Sequence, residues 1–113
     1  MIPFDLVLLP FPFTDLSATK RRPCLILAVF QPQGLPEHYV VAMVTSQLDG
    51  AAFPGDMLFS KWREAGLPKP SVARLAKVVT VERSLIRKKL GTLHASDRSA
   101  IRRQFRKVFA EMV

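Results

Sequence analysis

The stretch Lys20-Arg21-Arg22-Pro23-Cys24-Leu25-Ile26-Leu27-Ala28-Val29-Phe30 joins a cluster of three cations to an uninterrupted apolar run. The run from Cys24 to Phe30 has the length of a β-strand and predicts one that is buried on both faces. The cluster before it is interpreted as a polar loop, in which Pro23 restricts Arg22 to extended backbone. Arginine offers a planar fork of donors that stays charged, so this loop is a candidate phosphate site. A solubilising charge cluster is the alternative.

Other apolar segments of strand length lie on both sides of this run. Strands are predicted over residues 5–9, 24–30, 39–45, 56–59, 71–75 and 77–81, with a further short element at residues 84–86. Between them, Ser60 to Gly66 predicts one or two helical turns, with Ser60 as N-cap and Gly66 as the stop. Trp62 is expected to anchor this short helix on the core.

The apolar period changes near the end of the chain. The apolar residues Ile101, Phe105, Val108, Phe109 and Met112 recur at helical spacing and predict one face of an α-helix. Ser96 is the expected N-cap, and Asp97 complements the dipole of the first turn. Several short strands followed by one amphipathic helix predict a mainly β fold with α, a small β-barrel or curled sheet that carries the helix. Residues 1–113 are predicted to form a single domain.

The composition describes a strongly basic protein. The 113 residues include 17 Lys and Arg against 9 Asp and Glu, a formal net charge of +8, which attracts polyanions such as RNA and acidic protein tails. One cysteine and two distant histidines give no metal-site spacing, so no metal or cofactor is expected. No apolar run approaches the roughly 20 residues that span a bilayer, and a signal peptide is not expected, so the predicted location is cytoplasmic.

Cleavage of RNA needs few protein groups, because the 2′-hydroxyl next to each phosphodiester is the nucleophile. The protein must align that hydroxyl, neutralise the transition-state charge and move protons. Arg22 suits charge neutralisation, and Thr45 and Ser46 follow a predicted buried strand from which they can donate hydrogen bonds to phosphate. No residue is assigned as general base: His38 and His94 are expected to be structural or solvent-exposed.

Several separated motifs occur in an order that resembles the PemK/MazF family of toxins from toxin–antitoxin pairs. The motifs are residues 5–15 (DLVLLPFPFTD), 20–27 (KRRPCLIL), 44–47 (VTSQ), 70–78 (PSVARLAKV) and 84–86 (SLI). The resemblance implies an SH3-like β-barrel with a C-terminal helix, a homodimer, and a metal-independent endoribonuclease that cuts single-stranded RNA at short sequences. It also implies an antitoxin partner whose acidic, flexible tail covers the RNA groove.

The resemblance also implies roles for individual residues. Arg22 is similar to the family's catalytic arginine, Thr45 to its threonine at the scissile phosphate, and Arg74 to an arginine used in proton transfer or phosphate contact. The chain departs from some members at Ser17 and Ala76, where those members have an acidic residue. Further candidates for RNA contacts are Phe13, Lys20, Arg21, Ser46 and Gln47. Phe13 could stack on a base or pack in the core.

Two other functions remain open from the sequence. A non-catalytic module that binds RNA or antitoxin is favoured by the missing carboxylates. A gyrase-directed toxin resembling CcdB is less favoured, because such toxins act through a tryptophan near the C-terminus. This chain ends Ala110-Glu111-Met112-Val113 and has its only tryptophan at Trp62.

Overall fold

The structure, a computed structural model, describes residues 1–10, 20–48 and 52–112. Phe13, Asp15 and Ser17 therefore lie outside the described residues. The strands are β1 (Asp5–Pro10), β2 (Arg21–Phe30), β3 (His38–Thr45), β4 (Asp56–Leu58), β5 (Val72–Glu82) and β6 (Lys88–Thr92). One α-helix, α1 (Ala95–Val108), follows them, and 3-10 helices span Arg83–Leu85 and Ala110–Met112.

The described strands form one antiparallel sheet in the order β4-β5-β3-β2-β1-β6. The predicted mainly β fold with a C-terminal helix is confirmed. The sheet has two edges, β4 and β6, so it is curled or open rather than closed. None of the helices in the described ranges is long and apolar enough to cross a membrane.

Both faces of the central strands are buried, because alternate side chains enter two separate cores. The core on the side of α1 contains Leu6, Leu25, Ala42, Val44, Phe59, Leu75, Leu93 and Ile101. The core on the other face contains Val7, Leu9, Cys24, Ile26, Tyr39, Val41 and Val81. Cys24, Leu25 and Ile26 are fully buried as predicted, whereas Phe30 at the end of β2 is 53% exposed. Within β2, therefore, the middle residues are buried on both faces and the last residue is not.

Strand β5 replaces the two separate strands predicted at residues 71–75 and 77–81. Its pairing with β3 shifts abruptly, from Val78 opposite Ala42 to Arg74 opposite Met43. The extra residues, 75–77, form a bulge, which keeps one long strand paired at both ends while it bends. The break in the apolar pattern marks this bulge and not a loop.

The segment 60–66 is a series of hydrogen-bonded turns, so the predicted short internal helix is wrong there. The N–H of Ala65 donates to Lys61 O over 3.2 Å, and Gly66 ends the segment at a φ of +89°. Ser60 caps no helix, because its hydroxyl donates to Asp97 Oδ1 over 2.8 Å. Trp62 is half-buried against the core on the α1 side, so the expected contact with the core is present, although the segment that it anchors is a series of turns and not a helix.

Helix α1 begins earlier than predicted and buries less of its apolar face. His94, not Ser96, is the N-cap: its Nδ1 accepts the N–H of Ser96 over 3.1 Å. Ile101 is buried, but Phe105 is 41% exposed and Met112 lies beyond the helix, 85% exposed. A cleft of about 530 Å³ lies between the second half of α1 and the sheet, so this half of the helix does not pack closely on the strands.

Candidate nucleic-acid interface

The cation cluster lies at the start of β2 and only partly in a loop. Arg21 and Arg22 are paired with β1, opposite Pro10 and Leu9, which corrects the predicted loop. Pairing of β2 with β3 begins only at Cys24, so Pro23, which lacks an N–H, needs no donor on that side. The strand therefore holds Arg22 on ordered backbone.

The ends of β2 and β3 open into a cleft of about 220 Å³. Its walls are Lys20, Arg21, Arg22, Pro23, Val44, Thr45, Ser46, Gln47, Leu67, Pro68 and Ser71. Six of the predicted site residues, at positions 20–22 and 45–47, are brought together here. Because Cys24 is opposite Met43 and side chains alternate along a strand, Arg22 and Thr45 lie on the same face of the sheet.

The guanidinium of Arg22 is partly buried beside this cleft. Its Nε is buried, and among the described residues it has no hydrogen-bond partner. A buried donor of this kind is uncommon in proteins and calls for an explanation such as a ligand. A phosphate oxygen would satisfy it.

Cys24 lies next to Arg22 on the same face, and its thiol is enclosed by the sheet. Burial raises the pKa of the Cys24 thiol to about 12, although the positive charge of Arg22 acts in the opposite direction. The thiol is therefore neutral at any physiological pH. Cys24 is a free cysteine that packs as a small hydrophobic side chain, as expected for the first residue of the buried run 24–30.

Thr45 offers a hydroxyl at the buried end of β3, where the side chain is almost inaccessible, with 6% of the residue exposed. Its Oγ1 accepts the N–H of Gln47 over 3.2 Å. The hydroxyl hydrogen is left to donate to a ligand oxygen in the cleft. Ser46 and Gln47, by contrast, are exposed at the rim.

Arg74 does not line the cleft, but it lies close to it on the same face. It is paired with Met43, while Thr45 is paired with Val72, so Arg74 and Thr45 are diagonal neighbours across β3 and β5. Such neighbours have Cα atoms roughly 7–8 Å apart, within reach of an arginine side chain. The Nη2 of Arg74 is 4.0 Å from Asp56 Oδ2 on β4.

Both histidines have structural contacts away from the cleft, as predicted. The Nδ1 of His38 is 2.8 Å from Pro36 O, and His94 caps α1. Within residues 1–10, 20–48 and 52–112, no group of three His, Cys, Asp or Glu side chains is arranged to hold a metal ion.

The structure adds residues that the sequence did not point to. Leu67, Pro68 and Ser71 form one wall of the cleft, and the Ser71 hydroxyl donates to Lys69 O over 2.8 Å, which fixes this wall. Asp56 contacts Arg74. The order of strands, with β5 between β3 and β4, brings these residues to the site, and no local sequence pattern encodes that order.

Comparison with known proteins agrees with the fold. A family model described as the PemK-like, MazF-like toxin of type II toxin–antitoxin systems matches residues 3–109. No curated protein sequence matches the chain.

Solved structures with the same fold are distant in sequence. The Mycobacterium tuberculosis toxin MazF-mt6 is 21% identical, with a TM-score of 0.66 over 94% of this chain and 96% of its own. MazF from Deinococcus radiodurans is 20% identical, with a TM-score of 0.67 over 97% and 96%. An endoribonuclease in complex with its cognate antitoxin from Mycobacterial species is 11% identical, with a TM-score of 0.68 over 97% and 95%.

Proposed function

This chain belongs to the PemK-like, MazF-like toxins of type II toxin–antitoxin systems, and we propose that it is a metal-independent endoribonuclease that cuts single-stranded RNA, including mRNA, at short sequences. Two observations carry the proposal together: Arg22 and Thr45 line one cleft, and the buried Nε of Arg22 has no hydrogen-bond partner among the described residues. Solved structures of a MazF toxin and of an endoribonuclease with the same fold support it.

In the proposed reaction, the RNA supplies the nucleophile. The 2′-oxygen attacks the adjacent phosphorus and loses its proton, while the bond from phosphorus to the 5′-oxygen breaks and that oxygen gains a proton. The products are a 2′,3′-cyclic phosphate and a 5′-hydroxyl end. Neither water nor an external oxidant is consumed, so the step balances as a transesterification.

Arg22 and Thr45 have separate roles in this step. The guanidinium of Arg22 neutralises charge as it grows on the non-bridging oxygens, and it can donate to two of them at once. Thr45 donates its hydroxyl hydrogen to one of these oxygens and so fixes the phosphate against the end of β3. Solvent carries the protons, because no carboxylate or imidazole lines the cleft in the described part of the chain.

The remaining cleft residues bind the RNA on either side of the cut. Lys20 and Arg21 are exposed cations that attract neighbouring phosphates, and Ser46 and Gln47 can hydrogen-bond base edges at the rim. Phe13 is proposed as a base-stacking residue from its sequence context, since it lies outside the described residues.

The test uses a long single-stranded RNA and a matched RNA in which every 2′-hydroxyl is 2′-O-methyl, both incubated with the purified chain in EDTA. We expect discrete cuts in the first RNA, each with a 2′,3′-cyclic phosphate end, and none in the second. Cleavage of the methylated RNA would contradict attack by the 2′-oxygen, and cuts that need added divalent cations would contradict metal independence.

The proposal includes a homodimer, an antitoxin with an acidic, flexible tail and action in the cytoplasm, where mRNA is found. Support comes from the net charge of +8 and from solved toxin–antitoxin complexes of the same fold. Light scattering should give a native mass of twice 12.7 kDa. A mass of 12.7 kDa at micromolar concentration would contradict the homodimer.

A non-catalytic RNA- or antitoxin-binding module is the second candidate. It is favoured by the same lack of an acid–base side chain among the described residues that line the cleft. A binding module would retain RNA in the assay above without cutting it.

A further inference from the structure

We propose that Asp56 is a positioning residue, which holds the guanidinium of Arg74 beside the cleft so that Arg74 can contact the RNA phosphates. The inference rests on the proposed endoribonuclease function. It gives this chain a carboxylate close to the site, at a place in the sequence far from positions 17 and 76.

Asp56 and Arg74 are directly opposite one another on β4 and β5. The Arg74 Nη2 and Asp56 Oδ2 atoms are 4.0 Å apart, and the side chains are only 20% and 9% exposed. The pair is therefore held by charge at a distance about 1 Å longer than a hydrogen bond. At such burial the attraction is screened far less than on the surface.

Two further atoms of the pair point to closer contact. Arg74 Nε and Asp56 Oδ1 are both buried, and neither has a hydrogen-bond partner among the described residues. A buried donor and a buried acceptor without partners are each unfavourable. A small adjustment of the arginine would join them, because Nε and one Nη form a fork that matches a carboxylate.

A hydrogen bond from the backbone holds the Asp56 carboxylate in place. Asp56 Oδ2 accepts the N–H of Phe53 over 3.0 Å, which ties the side chain to its own turn. Once Nε and Nη2 face Asp56, the other Nη of Arg74 is left for a phosphate. Strand β5 lies between β4 and β3, so an Nη that faces away from Asp56 is on the side of Thr45, the diagonal neighbour of Arg74 on the same face.

Position 76 is not equivalent to position 56 in this chain. Ala76 lies in the β5 bulge, and it borders a shallow cavity with Gly55, Gln104 and Val108 on the side of α1. The Asp56 carboxylate, in contrast, lies on the strand face that carries Arg74, Met43 and Thr45.

The experiment measures kcat and KM for RNA cleavage by the full chain and by Asp56→Asn, Arg74→Ala and the double variant, with a melting temperature for each. Asparagine retains an oxygen for the Phe53 N–H, so the turn is preserved. Glu37→Gln is the matched control, since it removes a carboxylate from another arginine pair, Arg83 with Glu37 at 3.0 Å, far from the cleft.

We expect Asp56→Asn to lower kcat about tenfold, the loss typical of one charge-assisted hydrogen bond, with little change in KM. Arg74→Ala should lower it at least as much, and the double variant should be no worse than Arg74→Ala alone. Asp56→Glu, which keeps a carboxylate, should recover part of the loss. Glu37→Gln should match the unmodified chain.

Additive losses in the double variant would show that Asp56 does not act through Arg74. Wild-type kcat in Asp56→Asn, or a loss that follows only a lower melting temperature, would also overturn the inference. If the unmodified chain cuts no RNA, the proposed endoribonuclease function is wrong. That outcome is read from the unmodified chain alone, so it is distinct from a failure of the inference about Asp56, which is read from the variants.

Discussion

At the scale of single residues, the Thr45 hydroxyl has two roles, one as an acceptor within the fold and one as the proposed donor to phosphate. Replacing it with valine preserves shape but removes both the acceptor for the Gln47 N–H and the donor to phosphate. We expect cleavage to fall about 100-fold, as for loss of one transition-state donor, and the free energy of unfolding to fall by about 1 kcal/mol. Single-turnover cleavage and urea unfolding measure the two effects.

Thr45→Ser is the control for this substitution, because it keeps the hydroxyl and loses only a methyl group. It should retain most of the cleavage activity. Full activity in Thr45→Val would remove Thr45 from the reaction.

Cys24 gives a prediction about reactivity. Burial raises the pKa of its thiol from an ordinary value near 9.0 to about 12, and the thiolate is the reactive form. At pH 8 the folded chain should react with a thiol reagent far more slowly than the chain unfolded in urea. Rapid labelling of the folded chain, with the same rate as the unfolded one, would contradict the enclosed thiol.

The same pKa shift affects stability at high pH. The folded state keeps the Cys24 proton above pH 9 while the unfolded state releases it, so the unfolded state binds fewer protons. Stability from this group is complete below about pH 9 and declines as pH rises towards 12.

Single residues also show what the sequence could predict about the site. Arg22 and Thr45 were identifiable because each occurs where an apolar strand meets polar residues. Asp56 was not, because its partner Arg74 is 18 positions away and the two meet only through the pairing of β4 with β5.

At the scale of elements, Asp97 joins helix α1 to the turns at residues 60–66. The carboxylate is 3% exposed and accepts from Ser60 N, Ser60 Oγ and Lys61 N at 3.0, 2.8 and 2.8 Å. Asp97→Ala leaves these donors without a partner, so we expect a loss of about 3 kcal/mol in the free energy of unfolding. Urea denaturation measures it.

Glu111→Ala is the matched control, because it removes the same charge from an exposed position near the C-terminus. Its stability should change by less than about 0.5 kcal/mol. Equal losses in the two variants would show that net charge, and not the hydrogen bonds of Asp97, determines the effect.

Element boundaries were predictable where one local signal dominated. The apolar runs that became β1, β2 and β3 were identified to within a few residues, because burial on two faces leaves long apolar sequences. The bulge in β5 and the turns at residues 60–66 were not, since long-range contacts decide both. Ser60, a good N-cap by type, instead donates to a carboxylate 37 positions away.

At the scale of the whole molecule, the excess of positive charge determines how RNA is attracted. If Lys20, Arg21, Arg22 and Arg74 contact phosphates, the slope of log affinity against log salt should be about −3, from a contribution near −0.7 per phosphate contact on single strands. Titration with 2′-O-methyl RNA measures it without cleavage. A slope near zero would contradict electrostatic binding at the cleft.

The most direct test of the central claim compares Arg22→Ala with Arg103→Ala, which removes the same charge from an exposed position on α1. Cleavage of a long single-stranded RNA in EDTA and affinity for 2′-O-methyl RNA are measured for both at one salt concentration. Arg22→Ala should lose at least about 100-fold in cleavage rate with only a small change in affinity, and Arg103→Ala should match the unmodified chain. Equal cleavage by all three proteins, or parallel losses of cleavage and affinity in Arg22→Ala, would contradict a transition-state role for Arg22.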